Sequence, residues 1–417
     1  MGNTMREDRI YIVGVAMTPF GSYPDRSVKA MTREAVASCL TDAGAHTADV
    51  GALFFSNSGQ GLIEGQTATA GQMALRPLGF EDIPIVNTEN ACASGSTALY
   101  LAWSHVKAGL SDAALAIGVE KLSTDDVSRR DALFEGGLDV HDRQSVLAGL
   151  QALAGDDQVP EVDGDRSIFM DIYGFWARAH MRDFGTTQRQ LAAISSKNHY
   201  HSTLNPLCHF RRPFTVDEVL AARSLSYPLT VPMCSPYSDG AAAVLVCTAD
   251  KARSLQAQGR AVSIAALELA SGRDRAPGDW DQHLTKLAAG RAYHAARITP
   301  ADVDLAEIHD ATAFGELLNA ENLGLVPRGE GGPAAERGET TLGGRIPINV
   351  SGGLESRGHP IGATGLAMTY ELVTQLRGQA GQRQVAGARR GILENGGGLY
   401  GVEEAAAMVG IFESAGS

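Results

Sequence analysis

The tripeptide Ile83-Pro84-Ile85 recurs as Ile346-Pro347-Ile348, and each copy is followed by a Gly- and Ser-bearing turn and then by a helical pattern rich in Ala, Gly and Thr. Three matching residues are few, but the elements around them repeat in the same order, which constrains the chain to a duplicated architecture. In the first copy, hydrophobic periodicity predicts a strand at Ile10 to Val15, a helix at Val28 to Ala43 closed by Gly44, and a strand at Gly51 to Ser56. A helix around Gln66 to Leu78, a strand at Ile83 to Val86, a helix from Cys92 to Ala108 and a strand at Ala113 to Gly118 follow. The second copy reads strand Val262 to Leu269, helix Leu284 to Ala296, strand Leu305 to His309, helix Ala313 to Leu323, strand Ile346 to Val350, helix Gly362 to Leu376 and strand Gly391 to Glu394. Such alternation predicts an α/β fold with a mostly parallel sheet. Residues 1–121 form the first half, 122–250 an insertion in that half that includes its return strand, and 251–417 the second half. The insertion is charged and Gly-rich from Asp125 to Asp165, then carries aromatics and histidines. Insertions at strand ends of α/β sheets commonly cover the ligand crevice.

A chain of 417 residues with 44% hydrophobic and 20% charged residues can bury a sizeable site, and it holds no apolar run long enough to span a bilayer. The start from Met1 to Arg9 is polar rather than a signal sequence, and the end, Ser-Ala-Gly-Ser, lacks a Ser-Lys-Leu peroxisomal address. Five cysteines without CxxC spacing fit a reducing compartment, so a soluble cytoplasmic protein is expected. A net charge of -13 argues against a nucleic-acid surface, while leaving room for a local basic pocket.

Asn90-Ala91-Cys92-Ala93-Ser94-Gly95 puts a cysteine at a strand-to-helix turn among small residues. The free N–H groups and positive dipole end of the helix favour a thiolate and offer donors to a thioester oxyanion. A small buried cysteine filling a tight helix–sheet contact is the other reading, and the hexapeptide alone leaves both open. The run from Gly352 to Gly365, which contains Gly358-His359-Pro360-Ile361-Gly362-Ala363-Thr364-Gly365, places one histidine in a glycine-dense turn at the start of the matching helix. A neutral imidazole facing Cys92 across a pseudo-two-fold axis is what a thiol nucleophile needs for deprotonation. A mobile surface loop has no use for this glycine density.

With these blocks the sequence resembles the thiolases over essentially its whole length, most closely the sterol-carrier-protein-type branch. The resemblance also rests on His309-Asp310, on the run from Asn198-His199-Tyr200-His201-Ser202 to Asn205-Pro206, and on Ser238-Asp239-Gly240-Ala241-Ala242-Ala243. It implies a double β-α-β-α-β-β core of five layers with a loop domain between the halves, dimeric or tetrameric assembly, and coenzyme A thioesters as substrates. It also implies Cys92 as acyl acceptor, His359 as its base, His309 as a group that helps hold the thioester oxygen, and Gly396 as the glycine whose N–H joins that of Cys92 in a second oxyanion site.

Two departures stand out. Ordinary thiolases carry a second cysteine in a Cys-x-Gly motif near the C-terminus, where this chain has Glu394-Asn395-Gly396. Some sterol-carrier-type enzymes instead place a cysteine two residues after the His of the His-Asp motif, where Ala311 stands, followed by Thr312. Glu394 is therefore the candidate acid/base, its pKa raised by burial, against the alternative of a solvated glutamate closing a strand. His199, His201, Cys208 and His209 have zinc-ligand types, but the run matches a family segment with no metal role, and no metal is expected. Tyr173, Phe175 and Trp176 with Arg178 are candidates for the acyl tunnel, and Arg211 and Arg212 for the coenzyme A phosphates. No tightly bound cofactor is implied, there being neither a strand-coupled GxGxxG nor a P-loop.

The expected activity is an acyl-CoA C-acyltransferase of lipid metabolism that cleaves or makes a β-ketoacyl-CoA carbon–carbon bond. A ketosynthase-like acyltransferase or retro-aldol lyase component is the alternative, acting with a small OB-fold, zinc-ribbon partner. A non-enzymatic lipid-binding or scaffold subunit is the third reading, and the set Cys92, His309 and His359 counts against it.

Overall fold

The computed structural model describes residues 5–155 and 166–414. Both extreme termini and residues 156–165, the end of the charged stretch read from Asp125, lie outside the described residues. Eleven strands are β1 (Ile10–Met17), β2 (Ala52–Ser56), β3 (Ile85–Thr88), β4 (Ala113–Glu120), β5 (Ser224–Ser226), β6 (Leu229–Thr230), β7 (Gly240–Thr248), β8 (Val262–Ser271), β9 (Leu305–Ile308), β10 (Arg390–Gly397) and β11 (Ala406–Glu413). Nine of them join in the order β3-β2-β4-β7-β1-β8-β11-β10-β9, while β5 and β6 form a separate hairpin.

The order reads as two copies back to back. In the first, β2 is parallel to β3 and β4, and β7 runs antiparallel to β4 and β1. In the second, β10 is parallel to β9, and β11 runs antiparallel to β10 and β8. The copies meet where β1 and β8 pair antiparallel over three residues. The repeated tripeptide holds equivalent places: Pro84 O accepts from Leu53 N at 2.9 Å, and Pro347 O accepts from Ala306 N at 3.0 Å.

Three apolar cores hold five layers together, the middle core lying between the two halves of the sheet. Helices Ser94–Lys107 and Thr364–Leu376 fill the middle, where Ala98 and Leu99 share a core with Leu366 and Met368. Helix Val28–Ala43 covers the outer face of the first half over Val13, Leu115 and Leu245. Helices Leu284–Ala296 and Ala313–Asn322 cover the second over Ile308, Ile392 and Ile411. The insertion packs Ile172, Trp176, Leu191, Val219 and Met233 into a core that it shares with Phe314, Leu317 and Trp280 of the second half. The layered α/β fold expected from the sequence is the one observed, but the sheet is mixed rather than mostly parallel: five of its eight neighbouring pairs are antiparallel, because β7 and β11 return antiparallel and the halves join through β1 and β8.

Local chemistry explains both agreements and differences. Helix Val28–Ala43 has its predicted bounds because the Ser27 side chain accepts from Ala30 N and Gly44 takes a left-handed φ of 66°, the favoured start and stop signals. The predicted helix around Gln66 to Leu78 shrinks to Ala70–Leu75 and a 3₁₀ turn, with Pro77 inside that turn. The predicted strand Ile346 to Val350 makes a single bridge, Ile348 to Ala306. Pro347 has no N–H to donate there and Asn349 has φ 53°, so no ladder can propagate. The stretch after Asp125, read as charged and Gly-rich, contains helices Val127–Glu135 and Arg143–Ala154. Strand β11, which completes the second half, had no counterpart in the sequence reading.

Candidate active site

Cys92 lies in a 3₁₀ turn, Ala91–Ala93, between β3 and the first central helix. Ala91 holds a left-handed φ of 46°, a strained conformation for a residue with a Cβ, and Glu89 pins it by accepting from Ala91 N at 2.5 Å. Across the pseudo-two-fold axis, His359 precedes the second central helix, and its Nε2 stands 3.2 Å from Cys92 Sγ. The Thr364 hydroxyl donates to Pro360 O at 3.0 Å, so its oxygen accepts from His359 Nδ1 at 2.7 Å. That bond fixes the tautomer and leaves the Nε2 lone pair facing the thiol.

Both groups are neutral at rest. Burial pushes the Cys92 thiol up to about 12, helped by Glu89 and Glu120, and burial holds His359 well below its ordinary value, with His309 and Arg357 adding to the effect. Desolvation beside Glu89 and Glu120 opposes the thiolate that the helix terminus favours. His309 follows β9, its ring centroid 5.2 Å from that of His359. Both of its ring nitrogens are buried without a hydrogen-bond partner, and burial lowers its pKa to about 4. A neutral imidazole with an unused N–H is a donor awaiting an acceptor. Among the described residues, Cys92, His309 and His359 are the one group of three His, Cys, Asp or Glu side chains placed closely enough to hold a metal, with ligand atoms within 4.8 Å of one another.

These residues line a cavity of about 580 Å³. Tyr173 and Trp176 line it as expected; Phe175 and Arg178 do not, and instead stack on each other at 4.9 Å. Arg212 lines it, together with Arg166 and Arg223, which the sequence reading passed over. Arg211 does not and donates to Thr203 O at 3.4 Å. A second cavity of about 490 Å³ shares Cys92, Phe134 and Phe169 with the first, so the thiol sits where two spaces meet.

Glu394 is wholly buried on β10 but does not line the cavity. Its Oε2 accepts from His309 N at 3.2 Å, a donor that also serves its main-chain oxygen at 3.1 Å, which places the carboxyl behind His309. On the side of Gly396 where a side chain would stand, a Cβ would meet Glu404 Cγ at 2.9 Å. The glycine against the nucleophile is Gly397, where a Cβ would fall 2.4 Å from Asn90 O and 2.9 Å from Cys92 N. Glu404, Cys234 and Glu355 line the cavity without having been singled out. In sequence, Glu403-Glu404 looks like an acidic pair before a strand; its closeness to the glycine turn was the available signal.

Supporting groups tie the two halves together. Glu120 accepts from Ser58 N, Gly59 N and Gly362 N at 3.0, 3.0 and 3.1 Å, linking the end of β4 to the turn that carries His359. Ser96 Oγ and Asn395 Oδ1 meet at 2.6 Å. The four residues with zinc-ligand types have other work. His199 bonds Pro232 O and Ser356 Oγ, His201 bonds Asn349 O and Leu342 N, Cys208 donates to Ser351 O, and His209 bonds Ser238 Oγ.

A family model for the thiolase N-terminal domain matches residues 10–224, and one for the thiolase C-terminal domain matches residues 275–410. The chain belongs to the thiolase family. It is 38% identical over 397 residues to an acetyl-CoA acetyltransferase of Methanothermobacter thermautotrophicus, covering 94% of this chain and 97% of that one. It is 35% identical over 400 residues to sterol carrier protein 2 of Oryctolagus cuniculus, covering 93% and 69%, and 32% identical over 385 residues to the benzoylsuccinyl-CoA thiolase subunit BbsB of Thauera aromatica, covering 91% and 92%. The fold is shared with an Ltp2-ChsH2(DUF35) aldolase, at TM-score 0.75 and 20% identity over 99% of both chains. Human mitochondrial 3-ketoacyl-CoA thiolase in complex with CoA has TM-score 0.70 and 16% identity over 98% of this chain and 99% of that one. With these relatives, this protein is a thiolase-type acyl-CoA acyltransferase. Among its described residues no helix is long and apolar enough to cross a membrane.

Proposed function

We propose that Cys92 is the acyl-accepting nucleophile and His359 its base in breaking or making the carbon–carbon bond of a β-ketoacyl-CoA. The observation that carries this is the 3.2 Å contact between Cys92 Sγ and His359 Nε2, with the opposite ring nitrogen held by Thr364. As the thioester approaches, the thiol proton passes to Nε2 and the sulfur attacks the carbonyl carbon. The developing oxyanion has the unused N–H of His309 in the same space, and the backbone of Cys92 and Gly397 beside it. Coenzyme A enters as substrate or product, with Arg212 and Arg223 on the cavity wall to meet its phosphates.

Assembly as a homodimer or tetramer is part of this reading. Strand β3 ends the sheet, and Val86, Leu62 and Met73 nearby are 40%, 43% and 44% exposed, an edge that a second copy can cover. Acyl-enzyme formation through Cys92 distinguishes the reading from a retro-aldol lyase component requiring a small OB-fold, zinc-ribbon partner. The test is the intact mass of the purified protein after brief incubation with acetyl-CoA and with acetoacetyl-CoA. An acetyl adduct present in the wild type and lost in Cys92→Ala supports the proposal. No adduct from either thioester overturns it.

A further inference from the structure

A thiolase cycle moves a proton at the substrate α-carbon, and neither position at which the resemblance expects a thiol for that task, 311 or 394, holds one here. The replacement must reach the space in front of Cys92. Glu394 does not line that space; Glu404 does, together with Cys92, His309, His359 and Gly397. Glu404 is 3% exposed, and its Oε2 makes no well-aligned hydrogen bond, with His283 Nε2 3.4 Å away. Leaving a buried carboxyl oxygen unpartnered is costly unless something else comes to use it. Gly396 leaves the room: any side chain there would strike the Glu404 side chain.

We infer that Glu404, which follows the glycine turn and lines the Cys92 cavity, is the acid/base that transfers the proton at the substrate α-carbon, with Glu394 positioning His309 behind it. The inference rests on the acyl-cysteine reading above. In cleavage, Cys92 sulfur bonds to the β-keto carbon and the bond from that carbon to the α-carbon breaks. The electron pair passes to the α-carbon, which takes the proton of the Glu404 carboxylic acid. Coenzyme A then attacks the acyl-cysteine, its thiol proton goes to the Glu404 carboxylate, the released Cys92 sulfur takes back its proton from His359, and the cycle closes with no external acid. Condensation runs the same transfers in reverse.

The groups around Glu404 suit this work. Burial raises its pKa to about 7; Glu403 acts in the same direction and Arg275 against it, so both protonation states are accessible near neutrality. Glu394 faces it from β10 and Tyr173 from the insertion. His283, at the start of helix Leu284–Ala296, uses Nδ1 to accept from Thr285 N, which leaves its N–H on Nε2, 3.4 Å from Glu404 Oε2. Arg275 is committed to Glu403 at 2.7 Å. Cys234 also lines the cavity, but burial beside Glu355 drives its thiol far up, a poor match to proton exchange near neutrality.

The experiment compares wild type, Glu404→Gln, Glu404→Asp, Glu394→Gln and Cys234→Ala in three measurements: alkylation of Cys92 by iodoacetamide, thiolysis of acetoacetyl-CoA, and deuterium uptake into the methyl group of acetyl-CoA in heavy water. In Glu404→Gln we expect alkylation within about threefold of wild type, while exchange and thiolysis fall together by about 100-fold or more. Glu404→Asp, which keeps the carboxyl, recovers part of the exchange. Exchange and thiolysis that survive in Glu404→Gln, or that vanish in Cys234→Ala instead, overturn the assignment while leaving the acyl-cysteine reading intact. A wild type that forms no acyl adduct overturns both. If Glu404→Gln fails to fold, the wild-type pH profile decides: an inflection near 7 in exchange that is absent from alkylation supports Glu404, and its absence rejects it.

Discussion

At the scale of single residues, the nucleophile and its base are both uncharged. A cysteine that rests as a thiolate beside imidazolium alkylates at a rate that levels off well below neutrality. Cys92, pushed up to about 12 with His359 held low, should behave differently: iodoacetamide alkylation should climb without a plateau from about pH 6 to 9, because the anionic fraction keeps growing. A plateau beginning below pH 6 in the free enzyme would show a resting ion pair. Thr364 gives a second prediction. Its hydroxyl alone fixes the useful tautomer of His359, so Thr364→Val should lower kcat/KM by about 10- to 100-fold with little change in melting temperature, read by steady-state assay and thermal unfolding on the same preparation. An unchanged kcat/KM would remove Thr364 from the mechanism. Cys92 and His359 were legible in the sequence because small residues crowd around them and each begins a helix in matching halves. Glu404 was not, since both carboxyls of the Glu-Glu pair are buried and nothing in the pair tells which one faces the cavity.

At the scale of elements, what the sequence showed well were the segments whose boundaries are set by their own residues. Helices Val28–Ala43 and Leu284–Ala296 match residue for residue, the first through Ser27 and Gly44. Segments shaped by tertiary partners were less legible. The span around Ile348 has a strand's composition, yet Pro347 and the left-handed Asn349 leave it one bridge. Strand β11 is read only once β8 and β10 are there to flank it. The close approach of the two central helices is an element-scale feature with an element-scale test. A Cβ on Gly365 would come within 2.0 Å of Ser96 Oγ and 2.6 Å of Asn395 Oδ1, so Gly365→Ala must separate the helix starts that carry Cys92 and His359. We expect about 1–3 kcal/mol of lost stability by urea unfolding, together with loss of the acyl adduct. Wild-type stability and acylation in this variant would mean that the helix pair is looser than the structure shows.

At the scale of the whole molecule, the notable economy is a core holding many ionisable groups in their neutral forms. In the network between the insertion and the second half, Lys197 and Arg357 face Glu307, Asp310, Glu316 and Glu355, and Lys197 pairs with Glu316 at 2.8 Å and Arg357 with Glu307 at 3.1 Å. Two cations cannot neutralise four buried carboxylates, and Glu307, Asp310 and Glu355 are accordingly all raised, chiefly by burial. Glu120 and Glu404 are raised from 4.5 to about 7. From pH 4.5 to 7 the native state keeps protons on these groups that the unfolded chain has released. Their stabilising effect is therefore full below 4.5 and is lost as pH rises through 7. The buried histidines oppose this on the acid side: His201 and His309 fall from 6.5 to about 3 and about 4, so below 6.5 the unfolded chain gains protons the native state refuses, and stability drops. Between pH 4.5 and 6.5 the two sets oppose each other, and above 6.5, where the histidines are neutral in both states, only the carboxyls act and stability falls with pH. The urea midpoint should therefore be lower at pH 8.5 than at pH 6.5. Glu120→Gln, which cannot lose a proton, should flatten part of the alkaline fall even if it lowers the midpoint at pH 6.5 through weaker acceptance from Ser58, Gly59 and Gly362. A midpoint that keeps rising to pH 8.5 would mean these carboxyls are ionised in the native state, and with Glu404 among them its supply of a proton to the α-carbon near neutrality would fall too.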